Sequence, residues 1–134
     1  MEYMLLIYAD EKPGAERSDG DRQVVIREYQ ELADELRDHG SYITGAPLLP
    51  TTVASTVRVR DDEQLVTDGP FAETKERLGG YFLIEAESDE EARSWAAKIP
   101  AARYGAVEVR IVLQVPPTAL ARNGRSRVRA SGDS

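Results

Sequence analysis

The chain has 134 residues, of which 41% are hydrophobic and 31% charged, and it contains no cysteine. This length and composition predict one soluble globular domain with a proper core. The missing cysteines exclude disulfides, thiolate chemistry and Cys-ligated metal sites, and they fit a cytoplasmic protein. No apolar run approaches the ~20 residues of a membrane span, and the N-terminus lacks the basic start of a secretory signal.

Charge is distributed unevenly along the chain. The net charge is −7, yet residues 115–134 carry four arginines and one aspartate, which leaves −10 for the remainder. An acidic body argues against nucleic acid as the main partner. We therefore predict a folded domain over residues 1–115 and a basic, flexible tail over 116–134. Alternatively, the arginines of the tail contact an anionic surface.

Turn signals separate apolar runs in the first third of the chain. They predict a strand at 3–8, a loop to about residue 20, a helix over 21–39 and a strand that starts at 42 and ends before Pro47. Asp19 or Asp21 is placed to cap the start of the helix, and Gly40 to stop it.

The rest of the chain continues the alternation. It predicts strands at 56–60, 65–67, 81–86 and 107–115, and a helix from Ser88 to Pro100 that opens with a capping box between Ser88 and Glu91. The strands at 56–60 and 65–67 are close enough in sequence to pair as a hairpin. Without this hairpin the order is βαββαβ, which predicts an α+β, ferredoxin-like fold with an inserted hairpin.

One face of the predicted sheet lacks a cover in a single subunit. Both helices of this fold lie on the same face, yet the strands at 3–8 and 81–86 are apolar on both faces. A second copy related by a two-fold axis is the usual cover for such a face, so we predict a homodimer. The facing sheets would enclose a space lined by tyrosines, aliphatic groups, Glu108 and Arg110.

Three residues near the last strand are candidates for binding or chemistry. Arg110 could bind a carboxylate or phosphate through its planar fork, and Glu108, on the same strand face, could act as a general base. The alternative is an ion pair inside the dimer, or one between Arg110 and Asp68. Arg103 lies either at the mouth of a cleft or on a surface loop. His39, the only histidine, falls at the C-terminal end of a helix, where a positive charge interacts favourably with the helix dipole. This position favours a structural role for His39 over a metal site or a catalytic triad.

The tetrad Asp68-Gly69-Pro70-Phe71 lies between two apolar runs. Gly69 tolerates backbone angles that other residues avoid, and Pro70 fixes its own φ and restricts the residue before it. Asp68 is therefore a carboxylate on a stiffened loop, and we expect Phe71 to anchor that loop to the core. Two interpretations stay open: an ordinary turn, or a carboxylate that faces the dimer cavity beside Arg110.

An ordered series of motifs also carries a family resemblance. The segments are 3–8, 56–61, 66–76 with Asp-Gly-Pro-Phe-Ala-Glu-Thr-Lys-Glu, 79–81 with Gly-Gly-Tyr, 100–105 and 107–110. Together they resemble DGPF-domain proteins of the YCII-related superfamily over residues 1 to about 115. The resemblance implies a ferredoxin-like fold of the dimeric α/β-barrel type. It delivers no function, because most members of that family have no established activity.

The resemblance has one informative departure. Better-studied YCII proteins carry a histidine in the first helix and an aspartate before the proline that ends the second helix, as a proposed catalytic pair. Those positions here resemble Tyr29 and Ile99, neither of which can do acid–base work of that kind. The pair's mechanism is therefore not transferred to this chain.

We thus expect a small-molecule-binding protein, linked to regulation or stress, with an anionic or aromatic ligand between the sheets of a homodimer. The expected ligand-binding residues are Arg110, Arg103, Phe71 and Tyr81. The alternative is a cofactor-free enzyme for a small acidic or aromatic substrate, with Asp68 or Glu108 as the acid–base. A third possibility is an interaction module that works through the dimer surface and the tail. No phosphate loop, metal-spaced cluster or nucleophile triad is found in the sequence, so no cofactor or metal is predicted.

Overall fold

Two antiparallel sheets and three helices make up residues 1–116, the part of the chain that this computed structural model describes. The strands are β1 (Glu2–Ala9), β2 (Tyr42–Pro47), β3 (Ser55–Arg60), β4 (Glu63–Asp68), β5 (Arg77–Glu85) and β6 (Ala106–Ile111). The helices are α1 (Glu11–Ala15), α2 (Asp19–His39) and α3 (Asp89–Ala97), with 3-10 turns at Thr51–Val53 and Pro100–Arg103. The predicted tail lies outside the described residues from position 117 onward.

The main sheet has the strand order β2-β5-β1-β6, and all its neighbouring strands are antiparallel. This order is compatible with the predicted ferredoxin-like arrangement, and it confirms the α+β class. The helices α2 and α3 cover one face of the sheet and form the core with it. The core side chains are Tyr3, Leu5, Ile7, Leu32, Leu36, Phe82, Ile84, Ala86, Ala92, Trp95, Ala96, Ile99 and Ala101.

Both long helices begin at a serine. The Ser18 hydroxyl accepts the backbone N–H of Asp21 at the start of α2, so the predicted caps Asp19 and Asp21 were wrong by one to three residues. The Ser88 hydroxyl accepts the N–H of Glu91 at the start of α3, as predicted. Gly40 ends α2 with a left-handed φ of 84°, which confirms its predicted role.

The structure differs most from the predicted elements in three places. The first turn after β1 is a short helix, α1, because the Asp10 carboxylate caps it by accepting the N–H of Lys12. The strand β5 begins at Arg77, four residues before the predicted start. The strand β6 ends at Ile111 instead of continuing to 115, because its neighbour β1 starts at Glu2 and leaves nothing further to pair with.

The predicted hairpin is confirmed, and it forms a sheet of its own. β3 and β4 pair from Ser55 opposite Asp68 to Arg60 opposite Glu63. They are joined by Asp61 and Asp62, whose φ angles of 52° and 64° suit the tight turn of a two-residue hairpin. We call residues 55–68 the arm.

Candidate functional site

The open face of the main sheet, opposite the helices, carries two rows of side chains that run across all four strands. Strand register places Ala46, Tyr81, Leu6 and Glu108 in the first row and Thr44, Leu83, Met4 and Arg110 in the second. Neighbours in such rows have Cβ atoms roughly 5 Å apart. The aliphatic and tyrosine side chains in the middle of each row are half-buried even without a cover. Each row therefore runs from small or apolar groups to one charged group on β6.

Glu108 and Arg110 are exposed at the free edge of this face. Their side chains point the same way because they lie two residues apart on one strand. Within residues 1–116 neither one forms a salt bridge, either with the other or with a third group. Arg110 thus lies exposed beside an apolar surface, without a salt-bridge partner in residues 1–116.

The loop that follows the arm is fixed at its first residues by the arm itself. The N–H of Gly69 donates to the Ala54 carbonyl oxygen at 2.7 Å, and the Thr56 hydroxyl donates to the Gly69 carbonyl at 2.9 Å. Gly69 has a φ of 95°, which explains the need for glycine at this position. Asp68, one residue earlier, ends β4 with an exposed side chain, and its carboxylate accepts no hydrogen bond from residues 1–116. It does not act as the N–H acceptor of an ordinary turn.

Arg77 holds the far end of this loop, and sequence reasoning missed it. Its guanidinium donates to the Thr51 hydroxyl at 2.6 Å, to the Thr74 carbonyl at 3.0 Å and to the Glu73 carboxylate at 3.1 Å. Glu11 completes the network: its carboxylate accepts the Thr51 hydroxyl at 2.7 Å and lies 3.6 Å from the Arg77 guanidinium. We call this network the clip. The sequence does show an arginine directly after a loop with acidic residues. It does not show the partners of this arginine, because Thr51 and Glu11 are far from it in sequence.

The expected anchoring role of Phe71 was wrong for the single subunit, because 79% of this side chain is exposed. The structure also does not bring Asp68 and Arg110 together. The loop ends where Arg77 pairs with Ala9, whereas Arg110 pairs with Met4 on the other side of β1. These anchor points are roughly 19 Å apart, from five residue steps along a strand and two strand spacings across the sheet.

Arg103 lies on the helix side of the sheet and does not join the open face. Its guanidinium contacts both carboxylate oxygens of Glu28 on α2, each at 3.2 Å. This exposed ion pair tethers the 3-10 turn before β6 to α2. Of the four expected ligand-binding residues, Tyr81 and Arg110 therefore share the open face, and Phe71 and Arg103 lie elsewhere in the subunit.

The positions that correspond to the family's proposed catalytic pair belong to the core. Tyr29 stacks on Phe82 with ring centroids 6.4 Å apart, and burial raises the pKa of its phenol. Ile99 is completely buried. Both residues pack the helix layer against the sheet, so the structure gives no acid–base pair at this place.

A cleft of about 440 Å³ lies beside His39 at the end of α2. The His39 Nδ1 atom is 3.0 Å from the Ser41 hydroxyl and 3.9 Å from the Glu91 carboxylate. A catalytic triad needs the serine and the acid on opposite ring nitrogens, and here both approach the same one. His39 also packs edge-on against Trp95 at 5.5 Å, which supports its predicted structural role.

A second cleft, of about 580 Å³, lies between α3 and β6. Within its lining, the Tyr3 hydroxyl donates to the Asp89 carboxylate at 2.7 Å. That hydrogen bond raises the pKa of Tyr3. In residues 1–116 no group of three or more acidic or histidine side chains is placed to hold a metal ion. No helix in this part of the chain is long and apolar enough to cross a membrane.

Comparison with known proteins agrees with the resemblance seen in the motifs. A sequence model of the YCII-related domain matches residues 1–116. An uncharacterized protein of Rhizobium meliloti (strain 1021) is 38% identical over 112 residues, which cover 82% of this chain and 90% of that protein. That protein's name assigns no activity.

Proposed function

The chain belongs to the YCII-related domain family, and we propose that it is a small-molecule-binding protein whose site is the open sheet face, closed by a second copy of the chain. Arg110 carries this proposal. It is the cation of a half-buried apolar face, and it forms no salt bridge within residues 1–116. An arginine in such surroundings is suited to bind a carboxylate or phosphate through two parallel hydrogen bonds.

A homodimer would convert this face into a site. Met4, Leu6, Tyr81 and Leu83 form a continuous apolar centre between the edges of the sheet. An apolar centre of this kind is unusual on the free surface of a monomer, and a two-fold pairing would cover it on both subunits at once. Removing water around Arg110 would also strengthen its attraction for an anion.

The two rows of side chains favour a ligand with one anionic end and an apolar or aromatic body. Arg110 would bind the anion, while Met4 and Leu83 in its row would contact the body. Glu108 in the next row would repel a second negative charge and could accept a hydroxyl group. Tyr81 offers a ring for stacking.

The test is a thermal-shift and calorimetric screen with benzoate and phenyl phosphate against neutral benzamide. We expect the anions to stabilise the protein, and Arg110→Met to weaken their binding at least tenfold because it keeps the side-chain length but removes the charge. Arg58→Met, a matched change on the arm, should leave binding unaltered. If both variants bind the anions as tightly as the wild type, the proposed site is wrong.

The enzymatic alternative has less support. Asp68 and Glu108 are both exposed in the single subunit, and general acid–base catalysis needs a carboxylate within hydrogen-bond reach of a positioned substrate. Membership of DGPF-domain proteins within the family, the regulatory or stress-linked role and the cytoplasmic location stay predictions.

A further inference from the structure

We infer that the arm docks on a second copy of this chain, so that the segment from Asp68 to Phe71 completes the binding site of the partner subunit rather than its own. The inference rests on the proposed homodimer and adds to it the surface that holds the two copies together.

One face of the arm carries three exposed valines together with Ser55, Gln64 and Asp68, and the other face is mainly polar. Register places Val57, Val59 and Val66 on the same side, and in the single subunit they are 57%, 61% and 58% exposed. We call these three side chains the valine face. The other side carries Thr56, Arg58, Arg60, Glu63 and Thr67, with Leu65 as its one apolar residue. This alternation is the pattern of a hairpin with one covered side.

Nothing in the described part of the subunit covers the valine face. Each arm strand packs extensively only against the other arm strand, and the main sheet contributes no comparable contact. An isolated two-stranded hairpin is at best marginally stable in water. The arm therefore needs a further surface to stabilise it.

The orientation of the arm is nevertheless fixed at its base. The clip ties the loop after the arm to α1 and to the 3-10 turn that precedes the arm, through Arg77, Glu11 and Thr51. The hydrogen bonds of Gly69 and Thr56 then join the loop to the arm. A base that is held by four side chains and by the backbone of Gly69, with an uncovered valine face beyond it, suits an element that docks on a partner.

A second copy fits this surface because the sheet face alone is too small for a stable dimer. Four strands spaced ~4.8 Å apart and six residues long offer roughly 400 Å² of projected area. A stable interface buries about 800 Å² on each partner. The arm face adds roughly 200 Å², and the surface covered by the partner's arm adds about as much again, which brings the total on each copy close to the required area. The arm is about 20 Å long, twice the ~10 Å that separates facing sheets. It is long enough to reach over the edge of the partner.

This docking would bring the exposed side chains of the loop after the arm to the partner. Asp68 lies on the valine side of β4, two residues after Val66, and Phe71 follows with its ring exposed. In its own subunit this loop ends at the corner of the sheet opposite Arg110. Acting on the partner instead, Phe71 would supply an aromatic wall for the apolar body of the ligand, and Asp68 would supply an acceptor for its polar groups.

The first test compares two neighbouring residues that point to opposite sides of the arm. Val66→Lys places a charge on the valine face, and Thr67→Lys places the same charge on the polar face. By sedimentation equilibrium we expect Val66→Lys to raise the dimer dissociation constant at least tenfold and Thr67→Lys to change it less than twofold. Equal effects of the two variants would overturn the inference. A wild-type protein that is monomeric would instead remove the homodimer of the proposed function.

The second test uses the wild type and so does not depend on the folding of a variant. Dimers mixed from ¹³C-labelled and unlabelled subunits are examined for isotope-filtered NOEs. We expect inter-subunit NOEs from the methyl groups of Val57 and Val66 to the sheet-face side chains of the partner. An intact dimer in which these methyl groups show only intra-subunit NOEs would refute arm docking while leaving the sheet-face site standing.

Discussion

At the scale of single residues, the guanidinium of Arg77 bonds to groups from three segments of the chain. It is only 25% exposed, and it lies against the equally sheltered carboxylate of Glu11. Hydrogen bonds to charged groups that are largely removed from water are among the stronger ones in proteins. The clip therefore contributes more to stability than the exposed ion pairs of α2.

The prediction for this residue is that Arg77→Met lowers the free energy of unfolding by about 2 kcal/mol, because it leaves the Glu11 carboxylate without its cation and the Thr51 hydroxyl without its donor. Arg22→Met is the matched control, since Arg22 pairs with the almost fully exposed Asp19. Its cost should be no more than ~0.5 kcal/mol. Urea unfolding of both variants measures the difference, and equal losses would contradict the role of the clip.

Glu91 gives stability a defined pH dependence. The pKa of its carboxyl is lowered from the ordinary value of 4.5, chiefly because the Glu87 N–H donates to it, and the Trp95 indole N–H adds to this effect. A lowered pKa in the folded state means that the stabilisation is present above pH 4.5 and is lost as the pH falls through the folded value.

We therefore predict that Glu91→Gln destabilises the protein at about pH 6 and that the difference from wild type shrinks by about pH 3. Urea unfolding at the two pH values measures it. Glu90→Gln makes the same change in charge one residue earlier, at an exposed position. If the two variants show the same pH dependence, the hydrogen bonds of Glu91 are not its cause.

At the scale of elements, the sequence was informative where local chemistry decides the structure. The hairpin, the serine cap of α3 and the glycine stop of α2 follow from neighbouring residues, and all three were predicted. The helix α1 was not predicted because it contains Pro13 and Gly14, which usually mark a turn. The Asp10 cap nevertheless stabilises a helix there. The end of β6 could not be predicted, since it depends on where its neighbour β1 begins.

Gly105 shows how one residue fixes the join between the last 3-10 turn and β6. A methyl group there would overlap the Tyr8 carbonyl oxygen and approach the Ala9 Cβ to 3.1 Å, and the Gly105 N–H is bonded to Ala101. We predict that Gly105→Ala costs about 2–4 kcal/mol, because backbone must move to admit it. Gly79→Ala, whose nearest neighbour would be at 4.0 Å, is the control. Differential scanning calorimetry should show a large fall in Tm for the first variant only.

At the scale of the whole molecule, the site was harder to predict than the fold. Alternation along strands put Glu108 and Arg110 on one face of the last strand, and Tyr81 and Leu83 on one face of another strand. It could not show that Arg103 turns to α2, or that Asp68 and Phe71 leave the main sheet with the arm. Arg103 is placed by its ion pair with Glu28. The positions of Asp68 and Phe71 depend on the orientation of the inserted hairpin, and the long-range bonds of Arg77 fix the base of that hairpin.

The predicted C-terminal tail allows a test of whether the domain is stable on its own. The described domain closes its core without residues beyond 116, and Leu113 and Val115 are already exposed. We predict that truncation after Pro116 leaves the Tm within a few degrees of that of the full chain. A fall of many degrees, measured by circular dichroism, would show that the tail packs on the domain or on its partner.

Trp95 determines what an optical experiment can report about this protein. It is the only tryptophan in the chain, and it lies in the helix layer between His39, Lys98 and the Glu91 carboxylate. Its emission will therefore follow the loss of the helix layer during unfolding. The open face is on the other side of the sheet, so a bound ligand there would leave the spectrum almost unchanged. A screen that reads intrinsic tryptophan emission would report an occupied protein as empty. Phe71→Trp would place a tryptophan on the loop that is proposed to reach the partner's site, and it would give the missing signal.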